Sequence, residues 1–190
     1  ETAGVASTQY YKYHPDSESR HTFDGLSTQN LDSISNWSDG YSTSVNADEQ
    51  VIVYEKITDR AGNVTYINNQ EGVIADNTSP TAPEIKITAA EPAQGIYNAS
   101  VPFTIDVTDP ENGGTYAGLK EVSYEITNNG KVTQSGNYNS DLSDPTARVH
   151  NIHRSETVNA ELNNSNHVTI KVKAVDYAGN QSEATKDLKI

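Results

Sequence analysis

The stretch ITDRAGNVTY, residues 57–66, decides the fold, because AVDYAGNQSE at 174–183 repeats its D-x-A-G-N core 117 positions later. Each pentapeptide stands between two runs that alternate apolar and polar residues, where a hairpin must reverse the chain. Gly62 and Gly179 tolerate a positive φ, and the aspartate side chain accepts hydrogen bonds from backbone N–H groups in a turn. The stretch therefore predicts one β-hairpin in each of two copies of a module.

The similarity between the two copies extends beyond the pentapeptide. AGVASTQYYKY from Ala3 aligns with AGLKEVSYEI from Ala117 at an offset of 114, so two landmarks keep their order and nearly their separation. Between the copies, ADNTSPTAPEI at 75–85 has two prolines and no alternation, which is typical of a short, stiff connector. We therefore place two modules at 1–80 and 81–190.

The second module shows the full set of strands. Alternation bounded by turn residues predicts strands at 83–88, 101–108, 119–127, 131–136, 147–152, 158–162, 168–175 and 184–190. Asn128-Asn129-Gly130 supplies the positive-φ residues of a tight hairpin turn. Short strands at this spacing indicate an all-β fold, a tandem pair of antiparallel β-sandwiches.

The first module lacks part of this pattern. Residues 82–116, which hold the first two strands of the second module, have no counterpart before Ala3. A sandwich without two strands would expose a sheet edge and part of its core. We expect the missing strands to lie upstream in the parent chain, or another chain to fill the gap. A reduced topology that needs neither is the alternative.

Composition and motifs exclude several classes of function. The net charge of −13 repels phosphate backbones and anionic lipid surfaces, and no run of 18 apolar residues is present to span a bilayer. The absence of cysteine excludes disulfides and thiolate ligands. Because the chain opens with Glu1 and contains no methionine, we expect a fragment or a processed product. No G-x-S-x-G, phosphate-loop or H-E-x-x-H motif occurs, so we predict no enzyme and no catalytic residue.

Two groups of residues are candidates for cation binding. The loop DVTDPENGG offers oxygen ligands for calcium, which binds six or more oxygens, and it could approach Asp176; these residues are Asp106, Asp109, Glu111 and Asn112. His150 and His153 form H-x-x-H, but residues three apart on a strand point to opposite faces. Of the other histidines, His14, His21 and His167, none lies in a ligand motif. We expect no metal or other cofactor, with calcium as the alternative.

Tyrosines alternate in QYYKYHP at 9–15, and Trp37 follows. Tyr10, Tyr11, Tyr13 and Trp37 exposed together would form a stacking platform for sugars, whereas strand tyrosines are more often divided between core and surface. Six N-x-S/T sequons add an amide-rich surface, at Asn36, Asn63, Asn77, Asn98, Asn163 and Asn180.

Three motifs together resemble a known family. They are W-x-D-G at 37–40, VIVYEKITDRAGNVTYIN at 51–68 and GVIAD-x-T-x-P at 72–80. The chain resembles the Ig-like or fibronectin type III-like repeats of Gram-positive surface proteins. The resemblance implies Ig-like sandwiches in an extracellular, cell-wall-associated protein. It also implies a non-catalytic spacer role beside neighbouring domains, with adhesion through a host glycan or protein as the alternative. The second module lacks the tryptophan and the closing T-x-P.

Overall fold

A computed structural model of the chain describes residues 4–15, 25–40, 44–69 and 72–190. Over these residues the fold is nearly all β, with antiparallel pairing throughout. The chain divides into two compact units, residues 1–76 with 113–115, and residues 77–112 with 116–190. The all-β, Ig-like class expected from the sequence is confirmed.

The described part of the first unit is one sheet with a short helix on it. Its elements are β1 (Val5–Tyr13), α1 (Thr28–Asp32), β2 (Glu49–Asp59), β3 (Val64–Asn68) and β4 (Val73–Ala75). The sheet order is β1-β2-β3, and β4 pairs with the start of β2. Ser27 caps α1 by accepting a hydrogen bond from the backbone N–H of Asn30. Leu31 of α1 is buried against Ile52 and Tyr54 of β2.

The second unit is a sandwich of two sheets. Its strands are β5 (Glu84–Ile87), β6 (Val101–Thr108), β7 (Leu119–Asn128), β8 (Lys131–Asn137), β9 (Asn151–Val158), β10 (Val168–Asp176) and β11 (Gln181–Leu188). One sheet has the order β11-β10-β7-β8 and the other β5-β6-β9. Alternate residues of β6, β7 and β10 are buried between the sheets. Phe103 meets Tyr124 edge-on across this core, with ring centroids 6.1 Å apart.

Five of the strands predicted for the second unit coincide with observed strands to within about a residue, and the predicted 184–190 is found as β11. The predicted strands at 147–152 and 158–162 are wrong. Residues Pro145–Ala147 form a 3₁₀ turn, and Arg148 follows with a φ of 43°. A single strand, β9, occupies 151–158 instead. Its inward positions include Arg154 and Glu156 between Ile152 and Val158, and these charges hide the alternation.

A buried asparagine connects the turn after β9 to strand β8 in the second unit. The side chain of Asn163 is fully buried. Its amide donates to the side chain of Gln134 and to the backbone carbonyl of Asn159, both at 2.9 Å. The hydroxyl of Thr133 donates to its carbonyl oxygen at 2.6 Å. These bonds connect the turn after β9 to strand β8, because burial of an amide is favourable only when it is hydrogen-bonded.

Candidate functional site

The D-x-A-G-N hairpin of the first unit joins β2 to β3. One carboxylate oxygen of Asp59 accepts from the backbone N–H groups of Ala61 and Asn63, at 2.8 and 2.9 Å. The other accepts from the side-chain amide of Asn63 at 2.8 Å. Gly62 has a φ of 87°. The hydrogen bonds from Asn63 lower the pKa of Asp59.

The second hairpin joins β10 to β11 with matching hydrogen bonds. Asp176 accepts from the backbone N–H and the side-chain amide of Asn180, both at 2.9 Å. Gly179 has a φ of 93°, which a residue with a Cβ rarely adopts. Asp176 itself is fully buried, whereas Asp59 is half-buried. The pentapeptide thus fixes a turn in both units through its aspartate, glycine and asparagine.

Of the four candidate calcium ligands in the loop after β6, only Asp109 comes close to Asp176. Both aspartates are fully buried, and carboxylate oxygens of the two lie within 4.8 Å of each other. Asp109 accepts a hydrogen bond from the backbone N–H of Gly118 at 2.7 Å. Asp106 instead contacts Nδ1 of His153 at 2.5 Å, and Glu111 and Asn112 are exposed. We call Asp109 and Asp176 the acid pair.

The aromatic residues of the first unit do not form one exposed platform. Tyr11, Tyr13 and Trp37 pack around Ile52, Tyr54 and Leu31. Trp37 stacks on Tyr66 with ring centroids 5.6 Å apart. By strand alternation Tyr10 lies on the opposite face of the sheet. Most of these rings therefore contribute to the first unit's small core.

The comparison with protein families agrees with this architecture. The profile of the family described as a bacterial Ig-like domain matches residues 1–77 and 94–189, so it covers most of both units. The chain belongs to the bacterial Ig-like domain family. A comparison with curated proteins finds no match.

Membership of the bacterial Ig-like family indicates the general role of the chain. Domains of this kind are structural modules of surface proteins, are typically non-catalytic and are commonly extracellular. Within the described residues, no helix has the length and hydrophobicity needed to span a bilayer.

The histidines of the Ig-like units are dispersed. His150 contacts the ring of Tyr116, with centroids 4.8 Å apart, and His14 lies 3.2 Å from Glu49. His153 and His167 are exposed, and His21 lies outside the described residues. No histidine belongs to a group of three potential metal ligands in the part of the chain that the structure describes.

Sequence reasoning missed a polar contact inside the second Ig-like unit. Glu156 of β9 accepts hydrogen bonds from the hydroxyls of Tyr124 and Tyr138, at 3.0 and 2.7 Å. Burial, and then these bonds to the carboxylate, raise the pKa of Tyr124 to about 12 and that of Tyr138 further. The guanidinium of Arg154 lies 5.3 Å from the ring centre of Tyr138 and pairs with Asp141. The only signal in the sequence was the alternation of Arg154 and Glu156 between Ile152 and Val158, because Tyr124 and Tyr138 lie 32 and 18 residues away from Glu156.

Proposed function

We propose that the chain is a non-catalytic spacer segment of a bacterial surface protein, in which Ig-like modules connect neighbouring domains of the parent chain. The observation that supports this most is the hairpin shared by the two units, with the same aspartate-to-asparagine hydrogen bonds in each. A turn that is repeated with the same hydrogen bonds is expected of modules whose role is structural. The packing of Tyr11, Tyr13 and Trp37 into a core also favours a structural role.

A spacer must remain folded under tension along the chain. Single-molecule force spectroscopy of the whole chain, held at residues 77 and 190, tests this for the second unit. We expect one abrupt unfolding event with a length gain of roughly 35 nm, which is about 3.5 Å for each extended residue less the few nanometres that the folded unit already spans. Gradual extension at low force, without a discrete event, would contradict the spacer role.

Ligand binding is the second candidate function, and a groove in the second unit favours it. A groove of about 490 Å³ lies between the edge strands β5 and β11, and Tyr97 lines it beside charged residues of both strands. Such a combination suits a polar ligand with an apolar face, such as a glycan. Glycan-array binding that is lost in Tyr97→Ala but retained in Trp37→Ala would favour this function.

We further propose that the fold needs no cofactor. The acid pair provides four carboxylate oxygens, and three of them already accept hydrogen bonds from Gly118 and Asn180. Calcium binds six to eight oxygens, so the acid pair by itself would supply only part of a calcium site.

A further inference from the structure

The turn between β7 and β8 presents a chemically reactive pair of residues, Asn129 and Gly130. Their φ values are 51° and 78°, as in a tight two-residue hairpin turn, and both residues are exposed. Within the described part of the chain, nothing but its chain neighbours lies within 4 Å of the position that a Cβ would take at Gly130. The hairpin tip therefore presents an Asn-Gly sequence to water.

An asparagine followed by glycine can react with the backbone of its successor, because glycine has no side chain to shield its own nitrogen. The Gly130 nitrogen, after losing its proton to a base from solvent, forms a bond to Cγ of Asn129. The bond from Cγ to the amide nitrogen breaks, and this nitrogen takes up a proton and leaves as ammonia. Water then adds to either carbonyl of the cyclic imide and opens the ring, which leaves aspartate or isoaspartate at position 129. The whole reaction consumes water and releases ammonia.

The side chain of Asn129 makes contacts that this reaction would remove. Its amide donates to Oδ1 of Asn128 at 2.9 Å and to Oγ of Ser165 at 3.0 Å. The backbone N–H of Asn129 donates to the carbonyl of His167 at 2.9 Å. The side-chain amide of Asn128 donates to the carbonyl of Leu162 at 3.2 Å. The turn is thus attached to the segment between β9 and β10.

An acid at position 129 cannot replace the amide in these contacts. A carboxylate only accepts hydrogen bonds, so both donations from the amide nitrogen are lost. The new negative charge also lies beside Oδ1 of Asn128, which is itself an acceptor, and only the Ser165 hydroxyl could turn its proton towards the carboxylate. In isoaspartate the main chain runs through Cγ and is longer by one methylene group. The two-residue turn then no longer fits the pairing of Asn128 with Lys131.

We propose that Asn129 is a site of spontaneous deamidation, that its hydrogen bond to Ser165 slows the reaction, and that conversion to an acid releases the β7–β8 turn from the segment between β9 and β10. The hydrogen bond slows the reaction because the departing nitrogen is its donor. Chemical ageing of one exposed side chain is thereby coupled to the loss of a tertiary contact in the second unit. This inference is independent of the spacer role.

Incubation of the whole chain in mildly alkaline buffer, followed by peptide mapping with mass spectrometry, tests the site itself. Fragment ions locate each new acid to a single residue and distinguish aspartate from isoaspartate. We expect position 129 to convert several-fold faster than Asn139, an exposed asparagine that is followed by serine. Conversion at position 129 that is no faster than at Asn139 would overturn the proposal.

Ser165→Ala tests the protection given by the folded structure. It removes one acceptor of the Asn129 amide, so position 129 should convert several-fold faster in buffer, and at an unchanged rate in concentrated urea, where the contact is absent. The control is Ile170→Val, which destabilises the second unit through its core and should leave the rate in buffer nearly unchanged. No acceleration in Ser165→Ala, or equal acceleration in both variants, would overturn the proposed protection.

Asn129→Asp reproduces one product of the reaction, and its melting temperature measures the release of the turn. We expect the second unit of this variant to melt a few degrees lower, because the bonds to Asn128 and Ser165 are lost. Asn139→Asp adds the same charge at another exposed position and should change the melting temperature little. An unchanged melting temperature in Asn129→Asp, or an equal fall in both variants, would overturn the proposed release.

Discussion

Asp59 and Asp176 make the same turn in different surroundings, and the difference has energetic consequences. Each carboxylate accepts the backbone and side-chain N–H groups of the asparagine four residues later. Asp176 does so while fully buried, whereas Asp59 is in contact with solvent. The donors of Asn180 are partly buried, whereas those of Asn63 are exposed. A donor that water reaches less easily is solvated less well when it loses its acceptor, so the same substitution should cost more in the second hairpin.

We predict that Asp176→Ala lowers the free energy of unfolding of the second unit by about 2–3 kcal/mol, and that Asp59→Ala lowers that of the first unit by less. Urea denaturation of the whole chain measures both. Lys171→Ala is the control, because it removes only the exposed ion pair with Glu183 and should change stability little. Equal costs at the two aspartates would contradict the argument from burial.

At the scale of elements, β9 depends on a contact that alternation does not reveal. Strands β6, β7 and β10 were predictable because each buries a series of alternate apolar residues, broken only at the start of β7, where Val122 follows Leu119. On β9 the inward series includes Arg154 and Glu156, whose charges are compensated by Asp141 and by two tyrosine hydroxyls from elsewhere in the chain. The acid pair was only partly predictable for the same reason, since the fold decides which of several acidic side chains turns inward.

The tyrosine contacts of β9 predict a loss of stability in alkaline solution. The folded pKa of Tyr124 is raised to about 12, above the value near 10 expected in the unfolded chain. The stabilisation is therefore fully present below pH 10 and is lost as the pH rises through about 12, because the unfolded tyrosine ionises first. Thermal unfolding of the second unit between pH 9 and 12 should show this decline.

The matched variant is Glu156→Gln, which keeps one acceptor oxygen, places an amide NH2 group beside the other hydroxyl and removes the negative charge. Its tyrosine pKa should fall towards 10, so its stability should depend less on pH above that value. Absorbance of the ionised tyrosine gives the pKa directly. An unchanged titration in the variant would show that burial alone raises the pKa.

At the scale of the whole molecule, the family and the all-β class could be predicted. Which face of the first unit's sheet packs against residues 25–40 could not. The sequence contains the strands β1, β2 and β3 and their hairpin as clear repeats of β7, β10 and β11. The packing of Tyr11, Tyr13 and Trp37 depends on residues 25–40, which have no counterpart in the second unit. Local alternation does not specify which face of a sheet meets a distant segment.

The whole chain also provides the test of the cofactor proposal. We expect calorimetry with calcium and with chelator to give melting temperatures within about 1 °C for both units, since a ligand that binds only the folded state would raise them. Asp109→Asn is the companion variant, because its side-chain oxygen still accepts from Gly118. A calcium-dependent rise that Asp109→Asn abolishes would place a cation at the acid pair.

The buried amide of Asn163 has a practical consequence for production of the protein. Asn163 begins one of six glycosylation sequons, and both hydrogens of its amide are already engaged inside the fold. A eukaryotic secretory host would attach a glycan to such a sequon on the nascent polypeptide, before the turn after β9 closes. The sugar would then keep Asn163 outside and leave Thr133 and Gln134 without their partner. Material from such a host should misfold in the second unit, and bacterial expression should not.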